Sequence, residues 1–303
     1  MVNMKSPVLL LGYNRPEYIK ARLIEIMSWD PPGIYISIDG PKNENDSQAY
    51  KEINDFLLNY KNEKNITIYS NQKNLGLSHH ITGAITSIFK IEESLIIVED
   101  DIEIFKNAYL SMSKILNNPN LNKYAFVSGF SSLPAPPRIL RKFLSNKFRV
   151  ATYTSLWSWG IRKEIWELYE LDISKLDSKI AVSKSKLWNK LSSRQKNIWL
   201  HRFKKVSNDP KKTWDYQMQF MCFRYDLLSL SPIFRAVDNV GFADIRSTNN
   251  KYKKPKFYFG KTDYRQIEGV LWGGLIPKIT DFTDGFSDLI PYLKKFITPN
   301  LGN

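Results

Sequence analysis

Apolar runs and periodic stripes alternate along the first 116 residues. Residues 7–12 read Pro-Val-Leu-Leu-Leu-Gly, apolar throughout, which predicts a short strand buried on both faces. Asn14-Arg15-Pro16-Glu17 then opens a helix with proline in its first turn, and Ile19, Leu23, Ile26 and Met27 form its inward stripe. Residues 33–39 alternate isoleucines and end on Asp39-Gly40-Pro41, a turn signal. Asp46 or Ser47 is placed to cap the next helix, with Ile53, Phe56 and Leu57 inward. A third strand follows at 65–70, a helix at 77–89, a fourth strand at 94–98 and a helix at 105–116.

This βαβαβαβα order argues for an α/β fold, a mostly parallel sheet with helices on both faces. Ligands in such sheets bind outside the carboxyl ends of the strands. Three of the predicted ends carry chemistry: Asn14-Arg15 after the first strand, Asp39 after the second and Glu99-Asp100-Asp101 after the fourth. In a parallel sheet all three point to one rim. Beyond Lys123 the pattern changes. Residues 125–128 suggest a strand, 132–138 a proline-rich loop, and 152–162 a Trp/Ser-rich segment leading into a helix from 163. Trp214-Asp215 starts a helix through Phe223, and 228–240 read as strand plus loop. There is no internal repeat, so one domain with a C-terminal elaboration is expected, 1–250 catalytic (halves 1–122 and 123–250) and 251–303 a basic, aromatic extension.

Composition narrows the class. The 303 residues include 17 Phe, 16 Tyr and 8 Trp, too many large rings for a disordered chain to keep in water. A single cysteine, Cys222, excludes a disulfide scaffold and fits a reducing compartment. No apolar run is long enough to span a bilayer, and the start has no secretory pattern, so a cytoplasmic protein is expected. Lys plus Arg number 44 against 30 Asp plus Glu, a net +14. The excess is concentrated. Residues 179–212 carry 11 Lys/Arg against one acid, Asp209, and 251–261 carry five lysines and no acid. The first run interleaves Ile180, Leu187, Leu191, Ile198 and Leu200 with Trp188 and Trp199, as an amphipathic helix with solvated lysines would. It reads either as a solvated face or as attraction to an anionic partner, a nucleotide, a polyanionic acceptor or an anionic membrane surface. No nucleic-acid motif accompanies it, and no nucleic acid is expected.

The chemistry centres on the acid triplet. A buried strand that releases Glu99-Asp100-Asp101 must place them where charge is compensated, by water or by a hard divalent cation such as Mg2+ or Mn2+. The run Leu95-Ile96-Ile97-Val98-Glu99-Asp100-Asp101-Ile102-Glu103 resembles the strand and Asp-x-Asp-type motif of GT-A fold glycosyltransferases, nearest the N-acetylglucosaminyltransferase I family (glycosyltransferase family 13) and its bacterial relatives. Asn74-Leu75-Gly76-Leu77-Ser78-His79-His80, Tyr35-Ile36-Ser37-Ile38-Asp39-Gly40 and Asn14-Arg15-Pro16 resemble the segments that precede it. Ser155-Leu156-Trp157-Ser158-Trp159-Gly160 with Trp166, and Trp214-Asp215, resemble those that follow.

The resemblance implies a Rossmann-like GT-A fold and an inverting, metal-dependent transfer from a UDP-sugar, with GlcNAc the family's sugar. The acceptor implied is a bacterial cell-surface glycan or glycolipid of lipopolysaccharide or capsule type. The setting implied is cytoplasmic, peripheral at the inner face of the membrane. Asp101 would ligate Mn2+ or Mg2+. Glu99 and Asp100 would contact sugar and ribose, Asp39 the uracil, and Asn14 and Arg15 the nucleotide. Trp157, Trp159 and Trp214 would face acceptor or sugar, and Asp215 would be the general base. Where bacterial relatives carry a Thr-His segment, this chain reads Ala243-Asp244-Ile245-Arg246-Ser247-Thr248-Asn249-Asn250. The histidine is missing, which leaves Arg246, Ser247 or Thr248 for phosphate oxygens.

Each of these residues also has a plainer role open to it. Asp39 can be a turn residue, Arg15 can pair with Glu17, His79 and His80 can start a helix, Asp215 can cap one, and the tryptophans can be core. Two other functions stay open: a nucleotidyltransferase, although Leu11-Gly12-Tyr13-Asn14-Arg15 holds only one glycine of a phosphate loop, and a non-catalytic polyanion- or membrane-binding protein.

Overall fold

The computed structural model describes residues 5–131, 147–233, 235–244 and 246, and the backbone of 275–276. The first half follows the alternation of its sequence. Strand β1 (Val8–Gly12), helix α1 (Pro16–Trp29), β2 (Ile34–Ile38), α2 (Glu44–Leu57), β3 (Ile66–Ser70), α3 (Leu77–Ile88) and β4 (Ser94–Glu99) succeed one another. The neighbouring pairs β1–β2, β2–β3 and β1–β4 are all parallel. The apolar runs have a simple cause: both faces of the sheet are covered. Val8 and Leu10 of β1 pack with Ile36, Ile38, Ile96 and Val98 on one side, while Leu9 and Leu11 pack with Leu95, Ile97 and Ile85 on the other.

Helix α2 starts earlier than its sequence suggested. Asn43 is the cap, accepting a hydrogen bond from Asp46 N, and Asp46 sits inside the first turn with its carboxylate turned elsewhere. Helix α1 ends at Asp30, whose φ of 55° is the left-handed conformation that closes helices. Lys5 reaches over this end and donates to Trp29 O, Asp30 O and Asp30 Oδ2, a cation placed on the negative pole of the helix.

After β4 the chain makes a short strand, β5 (Ile102–Ile104), that the sequence reading missed, before helix α4 (Lys106–Leu116) and β6 (Tyr124–Ser128). Next come β7 (Phe148–Ala151), β8 (Trp159–Arg162) and a turn of helix, α5 (Lys163–Trp166). Residues 178–208 form three helices rather than one, α6 (Ser178–Val182), α7 (Lys186–Lys190) and α8 (Ser193–Asn208), followed by α9 (Asp215–Arg224). Strands β9 (Leu228–Pro232), β10 (Val237–Asn239) and β11 (Leu275–Ile276) complete the order. Nine strands form one mixed, mostly parallel sheet in the order β11-β7-β9-β6-β8-β4-β1-β2-β3, and β10 pairs antiparallel with β5. A third apolar cluster, with Trp188, Trp199, Phe203 and Phe223 at its centre, lies under α6–α9. Among the described residues no helix is long and apolar enough to cross a membrane.

The carboxyl edge is closely packed. A Cβ built on Gly40 would lie 2.3, 2.5 and 2.7 Å from the C, O and N atoms of Lys73, so the loop after β2 touches the loop after β3 only because residue 40 has no side chain. Replacing Gly40 by Ala is expected to lower unfolding stability by about 2 kcal/mol, the usual cost of forcing atoms into filled space. A urea-unfolding midpoint equal to the parent's would contradict this packing.

Candidate functional site

Parallel pairing brings three strand ends side by side. Leu11 O accepts from Asp100 N at 3.0 Å and Gly12 O accepts from Asp39 N at 3.0 Å, so the turns after β1, β2 and β4 share one rim. A cleft of about 450 Å3 opens there. Its wall includes Asn14, Arg15, Asp39, Glu99, Asp101, Trp157, Trp214, Asp215 and Arg246. Residues 14 and 246 are far apart in sequence, yet the fold gathers them.

Arg15 is the hinge of this arrangement. It is the cap residue of α1 but caps nothing with its side chain. Its guanidinium instead forks across the triplet. Nη2 and Nε donate to the two oxygens of Asp100, the latter at 3.1 Å, and Nη1 donates to Asp101 Oδ2 at 2.9 Å. Asp100 is buried and both its oxygens are engaged by Arg15, so it does not line the cleft; the expected contact with sugar or ribose is corrected to an internal counter-ion. The pairing expected with Glu17 belongs to Arg246, which also holds Asp244.

The acids strain against one another. Burial, then the charges of Asp101 and Asp100, push the Glu99 carboxyl up to about 8; Arg15 opposes the rise and Asp215 adds to it. Burial also pushes Asp100 up to about 7 despite Arg15. Burial alone would lower Arg15, but the charges of Asp100 and Asp101 outweigh it and raise its pKa. Arg15 thus brings one positive charge to four mutually influencing carboxylates. Among the described residues no three His, Cys, Asp or Glu side chains form a metal cage on their own. The donor set does fit a hard divalent ion that keeps water or phosphate ligands. It offers carboxylate oxygens from Asp101 and Glu99 on an open cleft wall with surplus negative charge.

Asp39 lines the cleft but its carboxylate is already occupied. Oδ1 accepts from Gly40 N and Leu75 N, both at 2.9 Å, and Oδ2 accepts from Asn74 Nδ2 at 3.0 Å and Gly76 N at 3.1 Å. Four N–H donors fill a carboxylate's acceptor sites. Its role is corrected from reading a base to shaping the 74–76 turn that leads into α3. His80 lies in the first turn of that helix, as its sequence suggested, buried against Ser37 Oγ at 2.9 Å, and burial lowers its pKa.

Asp215, also on the lining and close enough for its charge to act on Glu99, opens α9. Its Oδ1 accepts from the Thr213 hydroxyl and, at 2.9 Å, from Tyr216 N. The two tryptophans of 157–159 part company. Ser158 between them has φ 41°, a left-handed conformation that reverses the side-chain alternation of a strand. Trp157 therefore faces the cleft, edge-on to Phe130 at 4.8 Å. Trp159 is fully buried inside the sheet on Phe126 and stacks 5.6 Å from Trp214; its expected contact with sugar or acceptor is corrected to a core role. Ser247 and Thr248 lie outside the described residues, as do the proline-rich loop and the second basic run.

Several residues of the wall or supporting it were missed. Asp46 accepts from Tyr13 Oη and Asn14 Nδ2, both at 2.7 Å, and so fixes two side chains on the floor of the cleft. Asn239 accepts from Gly241 N, and Gly241 packs so tightly that a Cβ there would sit 2.6 Å from Asp101 Oδ2. The Asn-x-Gly spacing of a side-chain-closed turn was a legible signal for this pair.

The sequence matches no protein-family model and no curated protein. Among solved structures the chain is similar to GalNAc-T7, in a crystal structure with UDP, GalNAc and Mn2+, at 10% identity and a TM-score of 0.45 over 77% of this chain and 43% of that one. It thus spans less than half the length of that protein. It is also similar to a glycosyltransferase involved in the glycosylation of the major capsid of PBCV-1, at 13% identity and a TM-score of 0.27 over 75% and 92% of the two chains.

Two outcomes follow from the charge balance. Glu99 and Asp100 hold protons in the folded state at pH values where unfolded carboxylates have lost them, so unfolding releases protons and rising pH favours it. In chelator, unfolding free energy is expected to fall between pH 6.5 and pH 8, above the range in which buried His80 adds stability as pH rises; a rise over that window contradicts the arrangement. Arg15→Met is expected to cost about 3 kcal/mol near pH 8, as losing one partner of a buried pair does, and less near pH 5 where the acids are protonated. Equal losses at both pH values would show that Arg15 is not their counter-ion.

Proposed function

We propose that the chain is a metal-dependent glycosyltransferase that moves a sugar from a UDP-sugar to a glycan or glycolipid acceptor, with inversion at the anomeric carbon. The observation that carries the reading is the meeting of Arg15, Glu99 and Asp101 with Trp157, Trp214 and Asp215 across one cleft. The lining combines carboxylates at strand ends with an aromatic surface and a single carboxylate held by its own neighbours. Residues 1–250 would be the catalytic domain and 251–303 an extension of it.

Asp101, with Glu99, would hold Mn2+ or Mg2+. When bound, the ion would neutralise the charge on the diphosphate of the departing UDP. The remaining steps belong to the protein. Asn14, fixed by Asp46, and Arg15 flank the nucleotide's place at the end of β1, and Arg246 borders the phosphates' side of the cleft. Trp157 gives the acceptor sugar a flat apolar face. Asp215 is the general base. With Oδ1 engaged by Thr213 and Tyr216 N, its Oδ2 is left to take the proton from the acceptor hydroxyl as that oxygen attacks the anomeric carbon. A single displacement needs no covalent nucleophile on the protein. The donor sugar is open, with GlcNAc the first candidate. The acceptor in this reading is a bacterial surface glycan of lipopolysaccharide or capsule type, built on the cytoplasmic side.

A panel of UDP-sugars with Mn2+ tests the proposal through UDP release. Asp215→Asn is expected to cut transfer about a thousandfold, within the range that general-base catalysis supplies, while UDP binding stays near the parent's. Asp101→Asn is expected to lose both. Transfer at near-parental rate in Asp215→Asn would remove Asp215 from the reaction, and a parent that turns over no UDP-sugar would end the proposal.

A further inference from the structure

Helices α6, α7 and α8 pack Val182, Trp188, Trp199, Phe203 and Val206 inward. What they turn outward is cationic. Lys179, Lys184, Lys190, Lys204, Lys205 and Lys212 are exposed, and none has an ion pair among the described residues. On α8 the outward stripe is Arg194, Asn197, His201, Lys204, Lys205 and Asn208, spaced to share the side opposite the buried rings. From 179 to 212 the lone acid is Asp209. Exposed and without acids of its own stretch to balance it, such a cluster draws anionic partners to it from solution.

The chemistry of the face selects among polyanions. Nine of the eleven cations in this stretch are lysines. Lysine is a mobile point charge suited to a diffuse anionic surface, whereas planar arginine suits fixed bidentate recognition of one carboxylate or phosphate. Trp188 and Trp199, the rings a single-stranded nucleic acid would stack on, are buried. Ile180, by contrast, is 70% exposed, one place from Lys179 and four from Lys184, with Asp177 engaged as the cap of its helix. That combination of lysines around an apolar tip is what an acidic lipid interface takes up.

We propose that the α6–α8 face docks onto an anionic bilayer, with acidic phospholipid headgroups as its partner and Ile180 entering the headgroup layer. The face is joined to the cleft: the chain leaving α8 passes Lys211, whose carbonyl accepts from Ser78 Oγ at 2.9 Å, and reaches Thr213 and Asp215 on the cleft wall. An acceptor carried on lipid would then be held near the cleft. That last step rests on the glycosyl-transfer reading; the docking does not.

The test is sedimentation of the full chain with phosphatidylcholine vesicles, with and without phosphatidylglycerol. Binding is expected only when phosphatidylglycerol is present. A lysine near an acidic bilayer is worth about fivefold in partitioning, so the triple variant Lys190→Gln, Lys204→Gln, Lys205→Gln is expected to bind roughly a hundredfold more weakly. Ile180→Ser, which leaves the charge unchanged, is expected to weaken binding severalfold. All variants are expected to unfold at the parent's temperature. Equal binding to neutral vesicles, a triple variant that binds as the parent does, an Ile180→Ser variant without effect, or tighter binding to a single-stranded oligonucleotide than to phosphatidylglycerol vesicles would each overturn the assignment. Because sedimentation needs no turnover, vesicle binding without UDP release would sink the enzyme reading and leave the docking face standing.

Discussion

Consecutive carboxylates at the end of a buried strand repel one another, and the fold is arranged around the guanidinium that holds them. Val98 is fully buried, and the next residues of the chain are Glu99, Asp100 and Asp101. Arg15 can reach them because β1 lies parallel beside β4 with Leu11 opposite Glu99, which puts the residue three places past the end of β1 over the triplet. The same pairing leaves Asp101 partly committed. One oxygen belongs to Arg15, and the carboxylate is boxed in by Gly241, whose position is fixed by the β5–β10 pair and by the bond from Val240 N to Asp101 O. A segment more than a hundred residues downstream therefore closes a site begun by the first strand.

The Trp157 and Asp215 part of the lining depends on a different device. Ser158 in the left-handed region sends Trp157 to the cleft and Trp159 into the core, and Trp159 then supports Trp214 just before Asp215. Local backbone strain of this kind costs roughly 1–3 kcal/mol and persists where surrounding packing enforces it. Here the packing is the double-sided sheet: Gly160 and Trp159 lie between β4 and β6.

The parts of this architecture that repeat a short-range pattern were legible. The apolar runs of β1 and β4, the stripe of α1 and the convergence of strand ends on one rim follow from periodicity and parallel pairing. The resemblance made Asp39, Asp100 and Trp159 ligand contacts, whereas the plainer roles of Asp39 as a turn residue and Trp159 as core match the structure; residue type and order cannot tell a carboxylate that faces solvent from one that faces four N–H groups. Asp46 escaped because a helix's first turn usually explains an acid by itself. The basic stretch read as one amphipathic helix, yet Asp177, Ser185 and Ser192 each cap a separate one. Strand β5 was invisible because its partner, β10, lies beyond any local window.

The central claim is that the carboxylates of the cleft hold one divalent ion together with a nucleoside diphosphate. Electron paramagnetic resonance of Mn2+ titrated into the protein measures this directly. One bound ion is predicted, held more tightly when UDP is present because its phosphates complete the coordination that the carboxylates begin. A Mn2+ signal that stays that of the free ion, with and without UDP, would contradict the account.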